Sequence, residues 1–150
     1  MSAIGNVRPV RVDGSADTRR ATSLRLAIAV SRRALVAATA QGRASALFET
    51  APSLAADGPD VHLCFVVDHA GDRVDASVRC ELVDASSGDR WPLTTSGRAA
   101  IVNDDDLLHV DAPGLLSATL RRADLAGRPL FLRTPLLGAM GLAGGRYEVP

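Results

Sequence analysis

The chain has 150 residues, 47% of them hydrophobic, so it is long enough to bury the core of a single domain without disulfides or a structural metal. All 17 of its basic residues are arginine, which is typical of a high-GC bacterial genome and excludes enzymes that need a Schiff-base, P-loop or SxxK lysine. The basic and acidic residues cancel and only five residues are aromatic, which argues against nucleic-acid binding by base stacking.

Residues 1–21 lack helical or strand periodicity and are predicted to form a flexible N-terminal tail that ends near Arg19 and Arg20. Residues 1–50 carry eight arginines and three acids, whereas residues 51–110 carry four arginines and eleven acids. We expect the two regions to neutralise each other in the folded protein, because the arginines form no continuous basic run. Nucleic-acid binding by the basic arm is the less favoured alternative.

Residues 22–42 are predicted to form a helix. Ser23 is a suitable N-cap, small and apolar residues follow at helical spacing, and Gly42 is placed to end the helix. A β-hairpin that turns at residues 31–33 is the alternative, because apolar residues also alternate at Leu24, Leu26, Ile28 and Val30. The abundance of alanine favours the helix.

After a connector of turn-forming residues at 51–60, seven short apolar or alternating runs are separated by turn signals. The runs are Val61–Val67, Ala76–Val83, Trp91–Thr95, Ala99–Val102, Leu107–Val110, Leu115–Arg121 and Leu130–Arg133. Strands at this spacing predict a mainly β fold, an antiparallel β-sandwich over residues 60–136 preceded by the N-terminal helix. Residues 137–150 are predicted to form a Gly-rich C-terminal segment.

Two stretches carry a resemblance to a known family. Leu93–Ile101 (LTTSGRAAI) combines a Thr-rich turn and a Gly before an apolar run, and Ala112–Leu120 (APGLLSATL) begins with a Pro-Gly turn. From about Asp72 to Thr134 the chain resembles a carboxypeptidase regulatory-like, or transthyretin-like, domain, which implies an Ig-like β-sandwich. Leucines follow Pro-Gly here, where the family usually has a Tyr. An antibody-type domain is not indicated, because Trp91 follows both cysteines.

A hydrolase branch of the same family relies on histidines, an arginine and a C-terminal Tyr-Arg-Gly-Ser. The sequence ends Arg146-Tyr147-Glu148-Val149-Pro150 and contains neither a G-x-S-x-G nor an H-E-x-x-H motif. The resemblance therefore implies a non-catalytic member.

The two cysteines, Cys64 and Cys80, match no CxxC or zinc-site spacing. Strand alternation predicts that Cys64 points outward with His62, whereas Cys80 points into the core. We expect free thiols in the cytoplasm. Export is the alternative, because an Arg pair precedes an apolar stretch that ends in an A-x-A sequence. Arginines interrupt this stretch, so no membrane span is expected.

Three histidines are the candidate ligands or catalytic groups. His62 and Cys64 share one strand face and His69 lies in the adjoining turn, a set that suits zinc or copper, but no fourth ligand is evident and we expect no metal or other cofactor. His109 is expected to be a half-exposed structural residue. Aspartates at 68, 72, 75 and 104–106 are expected to stabilise turns rather than to bind calcium.

The sequence therefore predicts a non-catalytic interaction, regulatory or accessory module that binds a protein partner, or a second copy through its edge strands. The predicted contact residues are Arg19, Arg20, Arg32, Arg33 and Trp91, with a core position as the alternative for Trp91. The alternative function is a small hydrolase or metal-dependent enzyme, which requires His62, His69 or His109 to converge in one cavity.

Overall fold

The computed structural model describes residues 22–69, 75–124 and 129–142. These residues form one curled antiparallel sheet of seven strands, a half-barrel, together with two short helices. Each strand pairs with the next strand along the chain. The strands are β1 (Thr22–Val30), β2 (Val61–His69), β3 (Asp75–Asp84), β4 (Asp89–Asp104), β5 (Leu107–Ala112), β6 (Leu116–Arg121) and β7 (Phe131–Arg133), and the helices are α1 (Arg32–Ala40) and α2 (Leu136–Ala139).

The segment predicted as one helix over residues 22–42 is a strand followed by a helix. In β1 the alternating apolar residues pack inward, and all nine residues pair with β2. Helix α1 begins after Ser31, whose hydroxyl oxygen accepts a hydrogen bond from the Ala34 N–H at 3.2 Å. The alternation therefore marks a real strand, but the chain continues into a helix and not into the second strand of a hairpin.

Strand β4 merges two of the predicted strands, because residues 96 and 97 do not form a turn. Gly97 lies inside the strand opposite Val78. A Cβ on Gly97 would come within 3.2 Å of the Leu115 side chain, so this glycine makes room for packing. The number of strands agrees with the prediction only because β1 was missed while β4 was counted twice.

The pairing of β3 with β4 contains a bulge. Arg79 pairs with Ser96, but Glu81 pairs with Pro92, so three residues of β4 oppose Cys80. Within the bulge, Leu93 forms an isolated antiparallel bridge with Phe48 from the connection between α1 and β2. The bulge thus separates two neighbouring strands and brings a third segment against β4.

The core lies on the concave side of the sheet. Inward-facing Leu, Val, Ile and Phe residues from all seven strands form one cluster, whose largest fully buried member is Phe65 on β2. Leu35 of α1 and Leu137 of α2 complete it. Burial of a side chain of this size contributes about 2 kcal/mol. The mainly β class is confirmed; the second layer of a sandwich remains a prediction.

Within the described ranges 22–69, 75–124 and 129–142, no helix has the length and apolar character needed to cross a bilayer. Helix α1, for instance, has nine residues.

Candidate interaction surface

Two of the arginines predicted to form a basic face, Arg32 and Arg33, lie in the described part of the chain, and of these two Arg33 is exposed. Its side chain is 82% exposed and lies 3.8 Å from the Asp57 carboxylate. Arg19 and Arg20 lie outside the described residues. Arg32 is only 4% exposed. Contrary to the prediction, it does not contribute to an exposed basic face.

Arg32 is buried because its guanidinium connects α1 to two loops. Its Nη2 donates to Asp84 Oδ1 at 2.7 Å and lies 3.3 Å from Ser86 Oγ. Its Nε donates to the Pro59 carbonyl at 2.8 Å. A charge buried at this depth needs a counter-charge and further hydrogen bonds, and the network provides both. Arg32 is therefore a structural residue at the end of the sheet.

Trp91, the predicted aromatic contact residue, is half-buried and packs against the core. It lies on β4 opposite Leu82 of β3, which is fully buried. This placement agrees with the alternative that Trp91 occupies a core position.

The histidines whose side chains the structure describes, His62 and His109, do not converge. They lie on β2 and β5, three strands apart, and near opposite ends of β4, because the register relates His62 to Arg90 and pairs His109 with Val102. His109 Nδ1 lies 3.1 Å from Thr119 Oγ1, and Nε2 lies 3.8 Å from the Asp104 carboxylate. His109 therefore has the half-buried structural position expected from the sequence.

The side chain of His69 and all of Asp72 lie outside the described residues. Among the described residues, no group of three His, Cys, Asp or Glu side chains is arranged to hold a metal ion. The acidic stretch Asp104–Asp106 joins β4 to β5, where Asp105 has a φ of 55°. Aspartate tolerates this left-handed conformation better than most residues, as expected for a turn.

Both cysteines are free thiols on the strand faces that alternation predicted. Cys80 is buried opposite Phe65, and burial raises the pKa of its thiol to about 12. Cys64 is half-buried on the outer face opposite Glu81. Burial, and then the negative charge of Glu81, raises the pKa of the Cys64 thiol. Both thiols are therefore protonated at neutral pH and are poor nucleophiles.

A charge network on the outer face extends from β1 to β4. Glu81 Oε2 accepts hydrogen bonds from Arg90 at 2.7 Å and from Arg25 at 3.3 Å. Because Arg25 lies on β1, Glu81 on β3 and Arg90 on β4, the network bridges four adjacent strands above Cys64. One carboxylate between two guanidinium groups gives this region a net positive charge.

A cleft of about 270 Å³ opens beside this network, at the β3–β4 bulge. Its lining residues are Glu49, Val66, Arg79, Cys80, Glu81, Pro92, Leu93, Thr94 and Ser96. None of these residues is a histidine, and the Cys80 thiol is protonated at neutral pH. The remaining polar groups of the lining are the hydroxyls of Thr94 and Ser96, the carboxylates of Glu49 and Glu81 and the Arg79 guanidinium.

The outer edge of β1 is the other notable surface. Among the described residues β1 pairs only with β2, through nine consecutive pairs without a bulge. The strand contains no proline, and Arg25 is its only charged residue. Edge strands in natural proteins usually carry charges, prolines or bulges that prevent further pairing. Sequence reasoning missed this edge because it assigned the segment to a helix, although the alternation was visible.

Comparison with protein-family models, with curated proteins and with solved structures found no match to this chain.

Proposed function

We propose that this protein is a non-catalytic interaction module that binds an extended segment of a partner protein along β1. The observation that carries the proposal is the continuous nine-residue edge, which contains no proline or bulge and a single charged residue, Arg25. In strand addition the backbone hydrogen bonds supply affinity, and the alternating side chains supply specificity.

The side chains of β1 define the kind of segment that fits. On the outer face, Arg25 is flanked by the small residues Ser23 and Ala27. The Arg25 side chain is 39% exposed and donates to Glu81 through one nitrogen, so further N–H groups can bind an incoming acid. The partner strand should therefore carry an acidic residue opposite Arg25 and small or apolar residues beside it.

A module of this kind is favoured over the hydrolase alternative for two reasons. The separation of His62 from His109 does not favour a shared catalytic cavity. The thiols of Cys64 and Cys80 are held in their protonated forms. The resemblance of residues 72–134 to carboxypeptidase regulatory-like domains belongs to the same proposal, as a prediction of a regulatory or accessory role.

The proposal is tested by placing a charge on the edge. Ala27→Lys introduces a lysine at a half-buried outward position of β1, where natural edge strands use lysine to prevent pairing. Ser77→Lys is the matched control, because Ser77 is an exposed residue of the interior strand β3. Tagged full-length wild type and both variants are used to capture partners from native cells, and the captured proteins are quantified by mass spectrometry.

We expect a stoichiometric partner that binds wild type and Ser77→Lys but is lost with Ala27→Lys. In the purified complex, the added amide-exchange protection should be confined to β1. Equal capture by all three proteins, or protection elsewhere on the sheet, would show that the edge is not the binding site.

A further inference from the structure

The outer face of strands β4 to β7 is a second surface, separate from the β1 edge. The strand register places Val102, His109, Thr119 and Phe131 in one row that crosses these four strands. Val102 is 52% exposed and is one of the two large hydrophobic residues left exposed in the described part of the chain. The other is Leu130, at 42%, which immediately precedes Phe131. The row therefore has apolar ends on β4 and β7.

The charges around this row are segregated by strand. The outward-facing acids, Asp104 and Asp111, lie on β4 and β5. Arg98 also faces outward on β4, but it lies beyond the part of β4 that pairs with β5 and forms an ion pair with Asp75. The outward-facing arginines, Arg121 and Arg133, lie on β6 and β7. Asp111 and Arg133 have no ion-pair partner among the described residues. One half of the face is thus acidic and the other half basic.

We infer that this face binds a second copy of the chain, face to face, about a two-fold axis that runs parallel to the strands between β5 and β6. Rotation about this axis places β4 over β7 and β5 over β6 of the second copy. The acidic half of each copy then lies over the basic half of the other, and Val102 lies over Phe131 of the second copy. A two-fold axis perpendicular to the strands would not bring opposite charges together.

The pairing is isologous, so each contact occurs twice. Across the interface, Asp111 is offset by one strand spacing from Arg133 of the second copy. Asp104 is offset by the same spacing from Arg121 of the second copy. The two sheets then lie face to face through their outer faces, on the side opposite to each copy's own core.

The size of the face determines the strength of the dimer. The face comprises the part of β4 that pairs with β5, the six-residue strands β5 and β6 and the three-residue strand β7, which together cover about 300 Å² per copy. Stable interfaces bury about 800 Å² per partner, so this dimer belongs to the weak, reversible class. Because charges contribute to it, its affinity should fall as salt concentration rises.

The test is a charge exchange in the full-length protein, followed by sedimentation velocity from about 5 µM to about 500 µM. Wild type should shift from monomer to dimer over this range. Asp111→Arg and Arg133→Asp should each weaken association by about tenfold. An equimolar mixture of the two variants should recover association. In the mixed dimer, both arginines of the Asp111→Arg protein face aspartates of the Arg133→Asp protein. The double variant should also recover it.

Asp57→Arg, a charge reversal in an exposed loop far from the sheet face, is the control and should leave association unchanged. A wild type that stays monomeric at every concentration would overturn the inference. So would a dimer that persists in the single variants, or one that Ala27→Lys on the β1 edge abolishes. The sheet face and the β1 edge are tested by different variants. A negative result for the dimer therefore does not bear on the proposed binding of a partner at β1.

Discussion

Arg32 and Asp84 lie 52 positions apart in the sequence and form a buried ion pair of 2.7 Å. The pair joins the start of α1 to the end of β3. Asp84 Oδ1 also accepts hydrogen bonds from the Ser86 backbone N–H at 3.1 Å and from its hydroxyl at 2.7 Å. One carboxylate oxygen thus positions both the helix and the turn between β3 and β4.

Arg32→Ala should destabilise the protein strongly, because it leaves the Asp84 carboxylate buried without its cation. We expect the melting temperature to fall by about 10 °C. Arg33→Ala is the matched control, since the neighbouring Arg33 is exposed, and should change it by no more than about 2 °C. Differential scanning calorimetry measures both. Equal effects of the two variants would contradict a structural role specific to Arg32.

The same pair predicts an acid-sensitive stability. Hydrogen bonds from Arg32 and then Ser86 hold the pKa of the Asp84 carboxyl far below its usual range. As pH falls below about 4, the unfolded chain takes up a proton that the folded protein does not, so the free energy of unfolding decreases. Urea denaturation should therefore show the stability advantage of wild type over Asp84→Asn shrinking between about pH 6 and pH 3.

Asp57→Asn controls for general acid effects, because the Asp57 side chain is 96% exposed. The difference in free energy of unfolding between Asp57→Asn and wild type should stay nearly constant over the same pH range. A constant difference for Asp84→Asn as well would exclude the ion pair as the source of acid sensitivity.

Gly58→Ala should disturb Arg32 indirectly. Gly58 has a φ of +136°, and a Cβ there would lie 2.8 Å from Arg32 Nε, which is fixed by its hydrogen bond to Pro59. Gly88→Ala is the comparison, since Gly88 also has a positive φ but no atom within 4 Å of the added carbon. We expect about 1 kcal/mol of destabilisation at Gly88 and at least about twice that at Gly58, measured by chemical denaturation. A similar loss of stability at Gly58 and Gly88 would show that the Arg32 side chain can move away from the added carbon with little loss of stability.

The two thiols should differ in reactivity. Cys80 is buried with its pKa raised to about 12, so an alkylating reagent at about pH 8 should modify it only when the protein unfolds. Cys64 is half-buried and should react faster than Cys80 but more slowly than a thiol in denaturant. Mass spectrometry of Cys64→Ser and Cys80→Ala separates the two rates. Rapid modification of Cys80 in the native protein would contradict its burial.

Local patterns predicted much of the sheet, because strands and turns leave short-range signals. The alternation at Val61–Val67 and Ala76–Val83 predicted β2 and β3 and the opposite orientations of the two cysteines, and these predictions are confirmed. The prediction of a single helix over residues 22–42 was wrong because this segment contains both strand alternation and helical spacing. The strand pattern ends at Val30, and the helix uses Ser31 as its N-cap. A single window over both halves averages the two signals.

The positions of functional interest were harder to predict, because they depend on residues far apart in the sequence. The charge of Arg32 suggested a surface residue, and its burial results from partners at Pro59 and Asp84 that only the folded chain brings together. The bulge beside Cys80 likewise coincides with the pairing of Phe48, from a distant segment, with Leu93. Neither arrangement leaves a recognisable spacing in the sequence.

The sheet repeats the order of the chain, since each strand pairs with the next from β1 to β7. A nascent chain can therefore add each new strand to one already in place, in the direction of translation, without waiting for a distant segment. Residues 22–104 include all the residues of four consecutive strands, of α1 and of the Arg32–Asp84 pair, so this part of the sheet requires no pairing with strands that are synthesised later.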